Sequence, residues 1–192
     1  MSAIFKREMR AYFTSPIGFI FIAIFFVANG ALFSYLTLQA GSTSDISSYF
    51  LMLLFLFIIL IPLLTMKLFC EERKQKTEQL LLTAPVTITG MVLAKFLAAM
   101  TMFTGTVLVS CINFFPLYAI AVVERNGSYS TTHVGPATAE IVGRTIGLIL
   151  IGAAFIAIGL FISALSENQL SAAVITIAVL ACTIVLSLAN QY

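Results

Sequence analysis

Five long apolar runs constrain what this chain can fold into more than any other feature. They cover roughly residues 17–38, 49–69, 91–119, 140–165 and 169–189, and few of their residues are charged. A helix rises about 1.5 Å per residue, so about 20 apolar residues cross a hydrocarbon core of about 30 Å. The runs therefore predict an all-α integral membrane protein with a bundle of five transmembrane helices.

The composition of the chain agrees with this prediction. Hydrophobic residues make up 60% of the 192 residues and charged residues only 9%, against about 25% in soluble domains. The length suits one transmembrane domain, residues 1–192, and leaves no room for a second, soluble catalytic domain. The formal net charge of +2 is too small to argue for nucleic-acid binding.

Residues that carry enzyme chemistry are sparse. The three cysteines, Cys70, Cys111 and Cys182, lie at unmatched depths in the predicted bundle and predict neither a disulfide nor a metal site. The apolar runs hold no nucleophile with a base and no cluster of His, Asp or Glu, and every charge falls near the end of a run. This pattern disfavours a membrane-embedded enzyme. It also disfavours an ion-coupled carrier, which usually places ionisable residues at mid-membrane.

Basic residues are divided unequally between the two sides of the predicted bundle. Eight of them precede the first run or lie around the connector between runs 2 and 3, whereas the other side has only Arg125 and Arg144. Lys and Arg in short loops are retained on the cytoplasmic side of a membrane. The count predicts that the N-terminus and residues 70–90 are cytoplasmic, and that the chain ends outside.

Residues 2–14, SAIFKREMRAYFT, form an amphipathic pattern. The apolar half of the helical wheel holds Ile4, Phe5, Met9, Tyr12 and Phe13, and the other half holds Lys6, Arg7 and Arg10. This pattern predicts an interfacial helix. Its apolar face would enter the acyl boundary of the bilayer while its cations meet anionic headgroups.

Two further residues of this N-terminal region define local structure. Ser15 and Pro16 predict the N-cap and the first residue of the first spanning helix. Glu8 projects among the apolar residues of the interfacial helix. It is either a surface carboxylate or the partner of a cation in the charged segment described next.

A charged segment interrupts the apolar pattern between runs 2 and 3. Seven of the eighteen Lys, Arg, Asp and Glu residues fall between Lys67 and Glu78. Residues 67–75 predict a charged helical extension of run 2. Thr77 then predicts the N-cap of a second short helix, with Glu78 favourably placed in its first turn. Pro85 predicts the end of that helix, because the residue before a proline is pushed out of the α region.

The second short helix would carry three leucines, Leu80, Leu81 and Leu82, beyond the hydrocarbon. Such leucines need either headgroups or protein to cover them. One interpretation is a second interfacial helix with a solvated charge run. The other is a docking element for a cytoplasmic partner, and it is favoured because the charges precede the leucines instead of flanking them as in a lipid anchor.

Three stretches of the chain resemble ABC-2-type transporter permeases. Residues 69–95, FCEERKQKTEQLLLTAPVTITGMVLAK, resemble the segment between the second and third spans of that family. IFKREMRAYFTSPIGFIF resembles its N-terminal amphipathic helix, and IGLFISALSENQLSAAVITIAVL resembles its turn between spans 4 and 5. The N-terminal stretch and LLLTAPV look closest to the permeases associated with bacterial gliding motility and with copper-enzyme maturation.

The resemblance implies the membrane subunit of an ATP-binding cassette transporter that exports its substrate and lies in a bacterial inner membrane. Such a subunit pairs with a second transmembrane subunit, identical or related, while cytoplasmic ATPase subunits bind ATP and magnesium. This chain has no G-x-x-x-x-G-K-[ST] phosphate loop, so the nucleotide site must belong to another polypeptide. We expect the chain to hold no cofactor and to be no enzyme by itself.

In that family the connector between spans 2 and 3 contains the coupling helix, so residues 77–84 are expected to dock on the ATPase. The expected coupling residues are Glu71, Glu72, Arg73, Lys76, Thr77, Glu78, Leu80, Leu81, Leu82, Thr83 and Pro85. The alternative function is a non-transporting membrane subunit that anchors an ATPase complex. Family members usually have six spans, so either a sixth span is absent from this sequence or the protein is a five-span variant.

Small residues in the fourth run predict close helix packing. Gly143 and Gly147 form a GxxxG motif, and Gly152 and Gly159 follow it. Such residues allow two helices in a membrane to approach closely.

The orientation predicts a labelling pattern. Eight basic residues lie on the predicted cytoplasmic side and two on the other, so residue 128 is expected outside the cell. A membrane-impermeant thiol reagent should therefore label a Ser128→Cys variant in intact cells. It should label the native Cys70 only after permeabilisation. The reverse pattern would mean that the bundle is inserted in the opposite sense.

Overall fold

Every regular element in the described part of the chain is helical. The computed structural model describes residues 2–38, 46–74, 88–116, 138–166 and 168–189. Within these ranges no strand occurs. The all-α prediction is therefore confirmed.

The described α-helices are numbered here in chain order. They are α1 (Ser2–Thr14), α2 (Pro16–Phe33), α3 (Ser47–Thr65), α4 (Lys67–Lys74), α5 (Ile88–Ser110), α6 (Thr138–Leu165) and α7 (Gln169–Ala189). A π-helical turn, Ser34–Leu38, extends α2, and a 3₁₀ turn, Cys111–Phe114, extends α5.

In the described part of the chain, five helical segments are long and apolar enough to cross a membrane. They are Pro16–Leu36, Ser47–Cys70, Thr89–Phe114, Thr138–Leu165 and Gln169–Ser187. The shortest has 19 residues, which at about 1.5 Å per residue is close to the thickness of a hydrocarbon core. The prediction of five spans is confirmed.

Helix α3 lies at the centre of the bundle. It packs against α2, α6 and α7, and 56% of its span is buried, against 28% for the span of α2 and 22% for that of α7. Phe57 of α3 stacks on Phe25 of α2, with ring centroids 6.0 Å apart, and meets Phe103 of α5 at 4.8 Å. The outer faces of α2 and α7 are apolar, as a lipid-facing surface requires, with Val27 and Val174 exposed.

A tight corner joins α1 to α2. Ser15 is the N-cap of α2, its side chain accepts from the Ile17 amide at 3.4 Å, and Pro16 is the first helical residue, as predicted. A Cβ at Gly18 would lie 2.0 Å from the backbone oxygen of Tyr12. Only glycine therefore allows α1 to approach α2 this closely.

The four glycines of α6 differ in their surroundings. A Cβ at Gly152 would lie 2.2 Å from the ring of Phe103, and one at Gly159 would lie 2.5 Å from the Thr65 hydroxyl. Among the described residues, no atom of a neighbouring helix lies within 4 Å of a Cβ built at Gly143 or Gly147. Close packing thus involves the second pair of glycines, and a packing role for the GxxxG motif stays a prediction.

Polar contacts join the helices at the end of the bundle opposite to α1 and α4. Tyr49 donates to the Asn29 side-chain oxygen at 2.5 Å, so Asn29 bonds a neighbouring helix. Their surroundings are aromatic, with Phe33, Phe50 and Phe114 packed around Tyr49. In α6, Arg144 donates to the Ser47 hydroxyl of α3 at 2.6 Å and pairs with Glu140 at 2.6 Å.

The glycine contacts predict a difference within α6. Gly159→Leu and Gly152→Leu should each overpack the interface and destabilise the fold by about 1–3 kcal/mol. Gly143→Leu is the matched control, because the structure has open space at that position. The melting temperature of the detergent-solubilised protein measures the effect. Equal melting temperatures for the Gly159 and Gly143 variants would contradict the observed packing.

Candidate functional site

The charged connector starts from a break in the most buried span. Helix α3 ends at Thr65, Met66 forms a turn, and α4 begins at Lys67. Pro62 lies inside α3, four residues before the turn, and has no N–H to donate. Three backbone carbonyls near this break accept hydrogen bonds from the side chains of three other helices.

The first of these carbonyls is bonded by the interfacial helix. The Tyr12 hydroxyl of α1 donates to the carbonyl of Leu64 at 3.1 Å, and Tyr12 is 8% exposed. Burial and, secondly, the negative charge of Glu8 raise the pKa of Tyr12. The hydroxyl therefore stays protonated, and remains a hydrogen-bond donor, at physiological pH.

The second carbonyl is bonded by the end of α6. The Ser163 hydroxyl donates to the carbonyl of Met66 at 3.3 Å and accepts from the Phe69 amide at 3.4 Å. The Cys70 thiol donates to the carbonyls of Ser163 and Ser166, at 3.3 Å and 3.2 Å. These bonds fix α4 against α6.

The third carbonyl is bonded by a buried lysine of α5. The Lys95 ammonium donates to the carbonyl of Leu68 at 2.5 Å and pairs with the Glu8 carboxylate of α1 at 3.3 Å. It also lies 5.0 Å from the centroid of the Phe69 ring, within the range of a cation–π contact. Only 1% of the Lys95 side chain is exposed. Lys95 thus joins α1, α4 and α5.

A fourth contact completes this arrangement. Lys67, the first residue of α4, donates to the Ser15 hydroxyl at the α1–α2 corner, at 3.1 Å. We call the side chains of Tyr12, Ser15, Lys95 and Ser163 the α4 anchor. Together they bond the α3–α4 junction to α1, α5 and α6.

Glu8 occupies a buried position next to the anchor. It is 9% exposed and bonds Arg7 at 2.9 Å as well as Lys95 at 3.3 Å. A buried carboxylate needs a paired charge, because desolvation otherwise penalises it strongly. Of the two alternatives drawn from the sequence, the structure therefore favours ion pairing. The partner on α5, Lys95, follows the charged segment in the chain and was not expected.

The faces of α1 differ in part from the helical-wheel prediction. Lys6, Arg7 and Arg10 are exposed, and Tyr12 is buried, as the wheel predicts, with Phe5 partly buried against the core. Phe13 is 52% exposed, because α1 turns a different side toward α5 and α2. Much of the face expected to enter the acyl boundary is covered by protein in this way. Contact between the cations and headgroups stays a prediction.

The predicted coupling residues are described only at their beginning. Glu71, Glu72 and Arg73 belong to α4, and their side chains are not among the described ones. The others, Lys76, Thr77, Glu78, Leu80, Leu81, Leu82, Thr83 and Pro85, lie outside the described residues. Their docking role stays a prediction.

The sequence placed Tyr12 in the interfacial helix and Ser15 at the N-cap of the first span, but it did not bring the four anchor residues together as a site. Lys95 gave a usable signal, because a charge near the end of an apolar run still requires a partner when it is buried. Ser163 gave none, since a serine in a spanning helix is common. Cys70 is fully buried, which makes it a slow reporter for the labelling test of topology. A Lys6→Cys variant on the exposed side of α1 is the better choice.

Comparison with known proteins adds one match. A family model described as ABC-2 family transporter protein matches residues 29–189. The matched range is more than half of the chain and includes the charged segment, the anchor residues Lys95 and Ser163, and most of the five spans. No curated protein and no solved structure matches the chain. The narrower resemblance to gliding-motility and copper-enzyme-maturation permeases stays a prediction.

The Tyr12 contact predicts a loss of stability on removal of one oxygen atom. Tyr12→Phe keeps the ring but leaves the buried Leu64 carbonyl without its side-chain donor, which should cost about 1–3 kcal/mol. Tyr35→Phe is the matched control, because Tyr35 is 68% exposed. Thermal unfolding in detergent measures both changes. A Tyr12→Phe protein as stable as the parent would show that the hydroxyl contributes nothing.

Proposed function

The chain belongs to the ABC-2 family of transporter proteins, and from this membership we propose that it is the permease subunit of an ATP-driven exporter. Membership and the five apolar helices make it a multi-pass membrane protein with a role in transport. As a membrane subunit it is not catalytic by itself. The family match is the observation that carries the proposal.

Separate cytoplasmic ATPase subunits supply the energy in this proposal, and they bind ATP and magnesium. The sequence supports this division of labour in two ways. It contains no phosphate-binding loop of its own. Its few charges also lie near the ends of the apolar runs, so the middle of the membrane offers no relay for a driving ion.

Coupling to the ATPase is assigned to the connector that begins with α4. Support comes from the position of α4, which continues the most buried span and is bonded to the α1–α2 corner, α5 and α6 through the α4 anchor. A displacement of the connector would therefore reach several helices of the bundle at once. Residues 77–84 would form the surface that docks on the ATPase.

The working unit in this proposal contains two transmembrane subunits, identical or related. One bundle of this size cannot both enclose a substrate path and seat two ATPases, and closed symmetric pairs are the commonest oligomers. The membrane is the inner membrane of a bacterium, with the N-terminus in the cytoplasm. The exposed cations of α1, Lys6, Arg7 and Arg10, support this placement because anionic lipid headgroups attract them.

The test of the proposal targets the connector. Leu81→Ala should weaken ATPase binding by about 1–3 kcal/mol if the leucine is buried at a docking groove. Glu78→Lys should weaken it more, because it also places a cation at a helix N-terminus. Co-purification of the ATPase and its activity in the complex measure both changes, and Ser128→Ala is the control. Native mass spectrometry of the parent complex counts the transmembrane subunits.

The outcomes separate the proposal from its rivals. If both variants retain ATPase binding and activity, residues 77–84 do not couple and are an interfacial anchor. If the parent complex holds one transmembrane subunit, the paired arrangement is wrong. If the ATPase binds but no solute moves in reconstituted vesicles, the chain is an assembly subunit.

A further inference from the structure

We infer that Lys95 is a positioning residue that makes the interfacial helix α1 and the connector helix α4 move as one unit. The consequence for transport rests on the proposed function. The mechanical link itself depends only on contacts within this chain. It gives α1 a role besides lying at the membrane surface, namely to respond to, and to restrain, the motion of the coupling segment.

The described contacts of Lys95 include two helices that are far apart in the sequence. Its ammonium pairs with Glu8 of α1 at 3.3 Å and donates to the Leu68 carbonyl of α4 at 2.5 Å. The Lys95 ammonium also lies over the Phe69 ring of α4, 5.0 Å from the ring centroid. A single cation is therefore shared between α1 and the first turn of α4.

The burial of this cation makes the arrangement stiff. Because 1% of the Lys95 side chain is exposed, water cannot replace a partner that moves away. Removal of one partner from a buried ion pair leaves an uncompensated charge, which is strongly unfavourable. A movement of α4 that draws the Lys95 ammonium with it is therefore opposed unless Glu8, and with it α1, follows.

The second cation at Glu8 does not provide the same link. Arg7 bonds Glu8 at 2.9 Å, but its side chain is 53% exposed and it belongs to α1 itself. It cannot connect α1 to another helix through Glu8, and water and salt screen it. The connection between helices at this carboxylate is made by Lys95.

The opposite side of α4 has a different attachment. Ser163 of α6 bonds the Met66 carbonyl and the Phe69 amide, and Cys70 bonds α6 carbonyls. Loss of Lys95 would leave these bonds to α6 in place. These attachments can be distinguished, since the one through Lys95 includes α1 by way of Glu8. The Lys67–Ser15 bond, which joins α4 to the α1–α2 corner, is also left in place by loss of Lys95.

The experiment is hydrogen–deuterium exchange with mass spectrometry on the full chain in lipid nanodiscs. Lys95→Met keeps the length of the side chain but removes the charge. It should raise amide exchange in both α1 and α4 by about tenfold, the change that a loss of about 1.4 kcal/mol in local stability produces. Arg10→Met is the matched control, because it removes an exposed cation of α1, and exchange should not change.

Glu8→Gln tests the other member of the ion pair. It replaces Lys95→Met as the test variant if the Lys95→Met protein does not insert into the membrane. It should raise exchange in α1 more than in α4, because Lys95 keeps its bond to the Leu68 carbonyl. In the double variant Glu8→Gln/Lys95→Met, the loss of local stability derived from amide exchange should be smaller than the sum of the losses in the two single variants. Such non-additivity is typical of residues in direct contact. Maleimide labelling of Cys70, identified by peptide mass spectrometry, gives an independent measure of the exposure of α4.

The results decide between coupling and simple stabilisation. Exchange that rises in α1 and α4 together, without a general rise in α2 and α7, supports the inference. Exchange that rises throughout the bundle, or in α5 alone, or in neither variant, overturns it. The exchange experiment contains no ATPase, so its result does not depend on the ATPase-binding test with the Leu81 and Glu78 variants. Failure of this inference can therefore be distinguished from failure of the proposed function.

Discussion

Backbone carbonyls at a helix break in a membrane protein must be bonded by the protein, because lipid offers no donor. The break between α3 and α4 meets this requirement with side chains from three helices, at the carbonyls of Leu64, Met66 and Leu68. Each bond positions a neighbouring helix as well as satisfying an acceptor. The mutual arrangement of α1, α4, α5 and α6 depends on these bonds.

Local features of the fold were predictable from the sequence, and contacts between distant segments were not. The five spans follow from apolar runs of sufficient length, and the Ser15 N-cap follows from two adjacent residues. Glu8 was recognised as unusual, yet its partner Lys95 is 87 residues away. Spacing along the chain cannot specify such a pair. The tight contact of Gly18 with the Tyr12 backbone was also missed, although these residues are close in the sequence, because it depends on the angle at which α1 meets α2.

The family and the structure address different parts of the function. The match over residues 29–189 establishes an ABC-2 transporter protein, whereas α1 precedes the matched range. The anchor joins these two parts, because Tyr12 and Ser15 come from the N-terminal region and Lys95 and Ser163 from the matched one. The N-terminal helix is therefore an integral part of the folded bundle.

Helices α3 and α6 are joined near both of their ends. Arg144 bonds Ser47 at one end and Ser163 bonds the Met66 carbonyl at the other, with Gly159 seated on Thr65 between them. Because the two hydrogen bonds lie far apart along the helices, they oppose both sliding of α3 along α6 and separation of the two helices at either end. A rearrangement of the bundle is then expected at α2 or α7, whose spans are the least buried, and not along the α3–α6 seam.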